Sequence, residues 1–428
     1  MKKSKLALFI LLFIFSFSLT FAGGKPEAEK QAPKLVRLTF YYPVGVAGPL
    51  ARVINTYVEE FNNTNKGIEV VPVYSGDYDP TMQKVQTAVM GGNPPDIFIV
   101  EISELPTLLA MNAIEPLSKY ATKEYLADFF PAFLENSYDE KGEIWGIPFQ
   151  RSTPVFYWNK EHFKEAGLDP NKPPKTWQEL KEYAKKLNQP GRFGVTISGG
   201  WNDWLFEAFC RQNGIELISY LKRKININDA KAIEALEFWV DLTHKEKVAP
   251  PHSTWASTPP DFVAGKTSML YHSTGILSFL KNSAKFEFGV GFMPANVSYG
   301  AEVGGGNLHI GKGIPEANKQ AAWKFIEFLT TPQMAARWSR DSGYVAVRMS
   351  SYDLPEMKEH TTKHPEYLVA KEQLKYAHGK MMTPVFQKVR EILKTALDEA
   401  TAGKIEPKAA LDRAQKQTEQ LLADWLKK

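Results

Sequence analysis

Apolar and polar positions over residues 35–100 switch between two periods. Val36, Leu38 and Phe40 alternate with Arg37, Thr39 and Tyr41, the period of two that a pleated strand imposes. Leu50, Val53, Ile54, Tyr57, Val58 and Phe61 then recur three and four apart, which predicts a helix with one apolar face. The runs IEVVPVY and DIFIV supply two more strands, and between them the spacing predicts a helix from about Pro80 to Met90, ended by Gly91 and Gly92. Strands separated by helices of this length predict right-handed crossovers and a parallel sheet, an architecture that binds ligands beyond the carboxyl ends of its strands.

The stretch PFQRSTPVFYWNK, from Pro148, breaks both periods. Pro148 and Pro154 lack an N–H and push their predecessors toward extended backbone, so irregular or edge structure is expected, then a short apolar strand from Val155 to Trp158. Polar groups beside such a strand are either solvated or aimed at something. The rest of the chain reads as mainly helical: a helix opening at Asn159 or Lys160 and ending at Gly167, and another opened by the capping box Thr176 to Glu179. A long helix is capped by Asn228 or Asp229, QAAWKFIEFLTTP is stopped by Pro332, and PQMAARWSRDSGY begins the next. Leu393, Ala396, Leu397 and Ala400, then Leu411, Leu421, Leu422 and Trp425, give two terminal helices, each packing by one face.

Composition sets the class. At 428 residues, 43% hydrophobic and 23% charged, the chain is an ordinary soluble globular protein of two or three domains, with disordered and fibrous classes excluded. MKKSK followed by the 15-residue apolar run Leu6 to Thr20 and then Thr20-Phe21-Ala22 predicts a secretory signal cleaved after Ala22, being short for a membrane span of ~20 residues. Residues 23–34 then read as a flexible charged tether. Without Lys2, Lys3 and Lys5, 49 basic residues face 48 acidic ones, a balance that gives no support for nucleic-acid binding. Cys210 is the only cysteine, so no internal disulfide can form and the core alone must hold the fold.

Enzymatic and metal motifs mostly fail. GKTS at Gly265 lacks the earlier glycine of a phosphate-binding loop, since Pro260 stands there. VGGGNLHIGKG has glycines without dinucleotide-binding spacing and is better read as backbone that approaches a ligand or crosses between domains. His360 and His364 are four apart, but Pro365 follows at once and no Glu lies between them, so no metal or other cofactor is expected. An exported carbohydrate-active hydrolase stays open as an alternative, because sequence does not show the separation of two carboxylates.

The leader, GGNPPDIFIVE, GIPFQRSTPVFYWNKEHFKEAGLDPNKPPKTWQEL, GGWNDW, FGVGFMP, SGYVAV and AGKIEPKAAL together resemble the extracellular solute-binding proteins of ABC importers. The resemblance is to the branch that takes sugars and glycerol phosphate, and STPVFYWNKEHFKEAGLDPNKPPKTWQEL is similar to its glycerol-phosphate binders. It implies an α/β, two-lobed periplasmic-binding-protein fold of type II, with discontinuous lobes closing about a hinge. Lobe one would be residues 35–150 and 304–337, and lobe two residues 151–303 and 338–428, with crossings near 150, 304 and 340. The implied role is capture of glycerol-3-phosphate, a related polyol phosphate or a glycerophosphodiester for delivery to a permease, by a monomer without catalysis. An unphosphorylated mono- or oligosaccharide is the alternative ligand.

Carried over position by position, the resemblance places Tyr78 at the glycerol end and Trp201 packed on the ligand. Ser152, Ser273, Gly305, Tyr344 and Arg390 are implied around the phosphate, where hydroxyls and a backbone N–H satisfy oxygens and an Arg adds a planar fork. One departure stands out. At the position of the glycerol-binding carboxylate this chain has Ile102, with Glu101 one residue earlier, and a one-residue shift in extended backbone reverses the face. Rearrangement at a strand end would still let Glu101 reach the ligand. Arg151, beside Ser152, would add a second cation or pair with a neighbouring acid.

Overall fold

A computed structural model describes residues 35–427, so the expected leader and tether lie outside the described residues. Strands Val36–Tyr42, Ile68–Tyr74 and Ile97–Glu101 form as their patterns predict, with Val36–Tyr42 paired in parallel with both others. The sheet is nevertheless mixed. Gly304–Ile310 enters antiparallel to Ile97–Glu101, and Ile147–Ser152 pairs antiparallel with it at the sheet edge. That edge position accommodates Pro148, whose partner Asn307 adjoins a shift in register.

The chain leaves this sheet at Thr153 and starts a second one with Pro154–Asn159. Phe288–Gly291 and Thr267–Ser273 flank that strand antiparallel, and Phe193–Ile197 joins Thr267–Ser273 in parallel. All six residues of Pro154–Asn159 are buried, explaining why VFYW carries no alternation. The chain returns to the first sheet through Gly304–Ile310, so each sheet gathers strands distant in sequence.

Helices cover both sheets. Leu50–Thr64 buries Leu50, Ile54, Tyr57, Val58 and Phe61, the predicted face, and Phe325 of Glu316–Leu329 meets Phe40 and Phe61 edge-on at 5.2 and 5.0 Å. The helix predicted from Pro80 begins earlier, as Tyr78–Met90, because the Asp77 side chain accepts from Tyr78 N and fixes its start. Asn159, Thr176 and Asp229 cap Lys160–Glu165, Trp177–Leu187 and Ala230–His244 through their side chains. On the second sheet, Trp177 stacks on Phe238 at 4.5 Å and Phe209 of Asn202–Gln212 packs on Tyr271 at 5.2 Å. The terminal helices Phe386–Thr401 and Pro407–Leu421 pack against Ala230–His244, and Cys210 is fully buried beneath them.

Candidate functional site

Where the two sheets face one another, strand ends and the loops after them enclose a cavity. Its volume is about 30 Å³. That holds a water or two, so a polyol phosphate enters only when the walls part. Seven of the nine expected site residues line it: Tyr78, Glu101, Ser152, Trp201, Ser273, Gly305 and Tyr344.

Each is held by local structure. Ser152 ends Ile147–Ser152 opposite Gly304, and Ser273 ends Thr267–Ser273, where its Oγ accepts from Gly275 N at 3.0 Å. Tyr344 follows the left-handed Gly343 that ends Pro332–Ser342, and its ring stacks on Trp338 at 5.5 Å. Tyr78 opens its helix, and its hydroxyl donates to Gln150 Oε1 at 2.8 Å. The glycine triplet is required by close approach: Gly305 sits at φ +102°, and a Cβ there would fall 1.6 Å from the Gln150 carbonyl oxygen.

Glu101, the residue before Ile102, reaches the cavity. Ile97–Glu101 ends in a turn, Ile102–Glu104, which Glu101 caps by accepting from Ser103 N at 2.7 Å. The turn breaks the strand's alternation, so Glu101 lines the cavity while Ile102 is buried in the core.

Two expected cations lie elsewhere. Arg151 is fully buried against the Phe133 ring and donates from Nη2 to the Phe133 carbonyl at 2.9 Å; burial lowers its pKa to about 9. It does not line the cavity, because adjacent strand residues point to opposite faces and Ser152 takes the inward one.

Arg390 lies behind Trp201, its guanidinium 3.7 Å above the ring. Nε donates to Asp203 at 3.2 Å, Nη1 to both oxygens of Asp79 at 2.6 and 2.9 Å, and Nη2 to the Gly200 carbonyl at 3.1 Å. Burial pushes Asp203 upward, but Arg390 and Lys380 outweigh it and hold the carboxyl below its ordinary range.

Sequence reasoning missed several lining residues. Trp204 donates from Nε1 to the Glu302 carbonyl at 3.1 Å. Trp255 donates to the Gly45 carbonyl at 2.8 Å, joining the second sheet's loops to the first's, and stacks on His272 at 3.7 Å. Lys380 was missed as well. It stands 3.4 Å from Glu101, 3.3 Å from Asp203 and 5.1 Å from the Trp201 ring centre. GGWNDW contains the signal for Trp204, whereas AHGKMM has no periodicity that would single out a lysine. The assembled site offers a carboxylate for hydroxyl donors, hydroxyls for oxygens, one ammonium, and indole faces for a carbon skeleton.

The family model described as bacterial extracellular solute-binding protein matches residues 56–366. The chain is 29% identical over 430 residues to the sn-glycerol-3-phosphate-binding periplasmic protein of Salmonella paratyphi A, covering 95% of each chain. It is 29% identical over 398 residues to the protein of the same description in Escherichia coli strain K12, covering 88% of this chain and 90% of that one. Among solved structures, UgpB from Mycobacterium tuberculosis in complex with glycerophosphocholine superposes with a TM-score of 0.82 at 22% identity, over 91% of this chain and 99% of that one. Maltose-bound MalE3 of T. maritima gives 0.80 at 23%, over 90% and 100%. These likenesses show the two-lobed type II binding-protein fold.

Proposed function

Because the chain belongs to the bacterial extracellular solute-binding proteins, we propose that it captures glycerol-3-phosphate or a related polyol phosphate or glycerophosphodiester between its lobes and delivers it to the permease of an ABC importer. One observation carries this reading: oxygen-binding groups from both sheets, Ser152 and Gly305 on one side and Ser273 on the other, converge with Glu101 and Trp201 on one cavity. A ligand bridging these groups binds the closed arrangement better than an open one and so favours closure. In this reading the first lobe runs from residue 35 to the end of Ile147–Ser152, two residues past the expected boundary, and resumes at Gly304, while the second takes residues 153–303 and the C-terminal helices. Export rests on the leader, and the mature chain is expected to begin at Gly23; mass spectrometry of the exported protein tests this.

A second reading, an unphosphorylated sugar, draws on Trp201, Trp204 and Trp255 together in the cavity wall, since indole faces stack on sugar rings. Thermal shift and calorimetry with sn-glycerol 3-phosphate, glycerophosphocholine, ribitol and maltose separate the two. A ligand at a hundred times its dissociation constant stabilises by ~2.7 kcal/mol. Stabilisation by a phosphate compound supports the first reading; stabilisation by maltose or ribitol alone replaces it with the second.

A further inference from the structure

Lys380 is built into place from both lobes. It lies in the coil between Ala377–His378 and the helix Phe386–Thr401. One buried amide pins its backbone on two sides: Asn136 Nδ2 donates to Lys380 O at 2.8 Å, and Lys380 N donates to Asn136 Oδ1 at 3.0 Å. The next residue is fixed too, with Met381 N donating to Glu207 Oε2 at 2.8 Å. The side chain is 1% exposed and lines the cavity.

Its ammonium is under-committed. The approaches to Asp203 and Glu101, 3.3 and 3.4 Å, are longer than the ~2.7–2.9 Å of a strong charge-assisted hydrogen bond. An ammonium has three donors, so at least one is left for a ligand. Burial would lower its pKa, yet Glu101, Asp203 and Glu207 hold it above the ordinary lysine value and keep it charged. Arg390, the cation the resemblance implies, commits four of its five N–H groups to Asp203, Asp79 and Gly200, gives its face to Trp201 and does not line the cavity.

We propose that Lys380 is the specificity-determining cation of the cleft, donating to an anionic oxygen of the ligand while neighbouring Glu101 accepts from ligand hydroxyls, and that Arg390 braces Trp201 and the lobes without touching ligand. The pair selects a hydroxylated anion over a neutral polyol. This rests on the solute-capture reading above.

Calorimetry of the mature chain with sn-glycerol 3-phosphate from pH 5 to 7.5 tests it. The phosphate loses its second proton near pH ~6, so wild-type affinity should rise through that range as the charge facing Lys380 doubles. Lys380→Gln should weaken binding by about thirtyfold or more and flatten that rise, and Lys380→Arg should retain it. Were the single variant unfolded by the carboxylates it leaves bare, Lys380→Gln with Glu101→Gln removes both charges and should give the same flat profile. Wild-type-like affinity, or a persisting rise, in a folded variant lacking the lysine overturns the role of Lys380 alone. Wild type that binds ribitol or maltose and no phosphate compound overturns both this inference and the ligand reading.

Discussion

Arg390 and Asp79, 311 positions apart, meet in a two-pronged ion pair at 2.6 and 2.9 Å that joins the helix Phe386–Thr401 to the first turn of Tyr78–Met90. One partner is buried and the other half open to solvent. The pair links a helix over one sheet to a helix over the other, so in the proposed clamp it would form as the cleft closes and part as it opens.

Asp79→Asn should therefore favour opening. A half-exposed ion pair contributes only ~1 kcal/mol, so affinity should fall by about fivefold for charged and neutral ligands alike. Solution scattering should record a larger radius of gyration without ligand; an unchanged radius and unchanged affinity would remove the latch.

Arg390→Ala is expected to act on stability more than on ligand choice. It strips Asp203, fully buried, of one of its two cations and uncovers one face of Trp201. Breaking a buried pair from one side costs about 3 kcal/mol or more, read by chemical denaturation. Arg390→Lys should recover part of this, keeping charge but losing the fork and the flat contact with the indole. A stable Arg390→Ala protein that fails only with phosphate ligands would return Arg390 to the ligand.

Glu104 sets a pH dependence. Burial, reinforced by Glu101, raises its pKa from 4.5 to about 8, with Thr107 and Gln387 only partly offsetting the shift. The folded protein thus holds a proton that the unfolded chain releases. This stabilisation is complete below about pH 4.5 and is lost as pH climbs through about 8. Glu104→Gln should leave a flatter profile, so the stability of wild type relative to the variant falls between pH 5 and 8 in urea titrations. Parallel profiles would refute a protonated Glu104.

Two glycines at positive φ should part company. Gly313, at +85°, is exposed and has nothing within 4 Å of an added Cβ, so Gly313→Ala should cost about 1–2 kcal/mol. Gly305→Ala adds the collision with the Gln150 carbonyl and should cost more, or abolish folding, since neither strand can retreat. Equal melting curves for the two variants would show that the strands separate more easily than their pairing implies.

Residues whose role follows from a local pattern were legible in the sequence. The face of Leu50–Thr64, the caps at Thr176 and Asp229, and the glycine triplet all follow from spacing and backbone sterics. Seven site positions came through resemblance and reach the cavity. What was not legible depends on long-range pairing. The antiparallel entry of Gly304–Ile310 is set by a chain returning from the other sheet, which no crossover pattern announces. Arg151 turns away because of strand parity, and Arg390 is occupied because Asp79 happens to face it across the cleft. Lys380 was illegible because its placement depends on Asn136, 244 residues earlier.

The burial of Cys210 makes this chain convenient for labelling. Its thiol is sealed in the second sheet's core, and burial raises its pKa well above the ordinary value, so the nucleophilic thiolate is scarce in the native state. A cysteine introduced at the exposed rim of the cleft would be the one fast-reacting thiol. A fluorophore attached there would report jaw movement without first removing a native residue, while slow reaction at Cys210 itself would time the opening of the core.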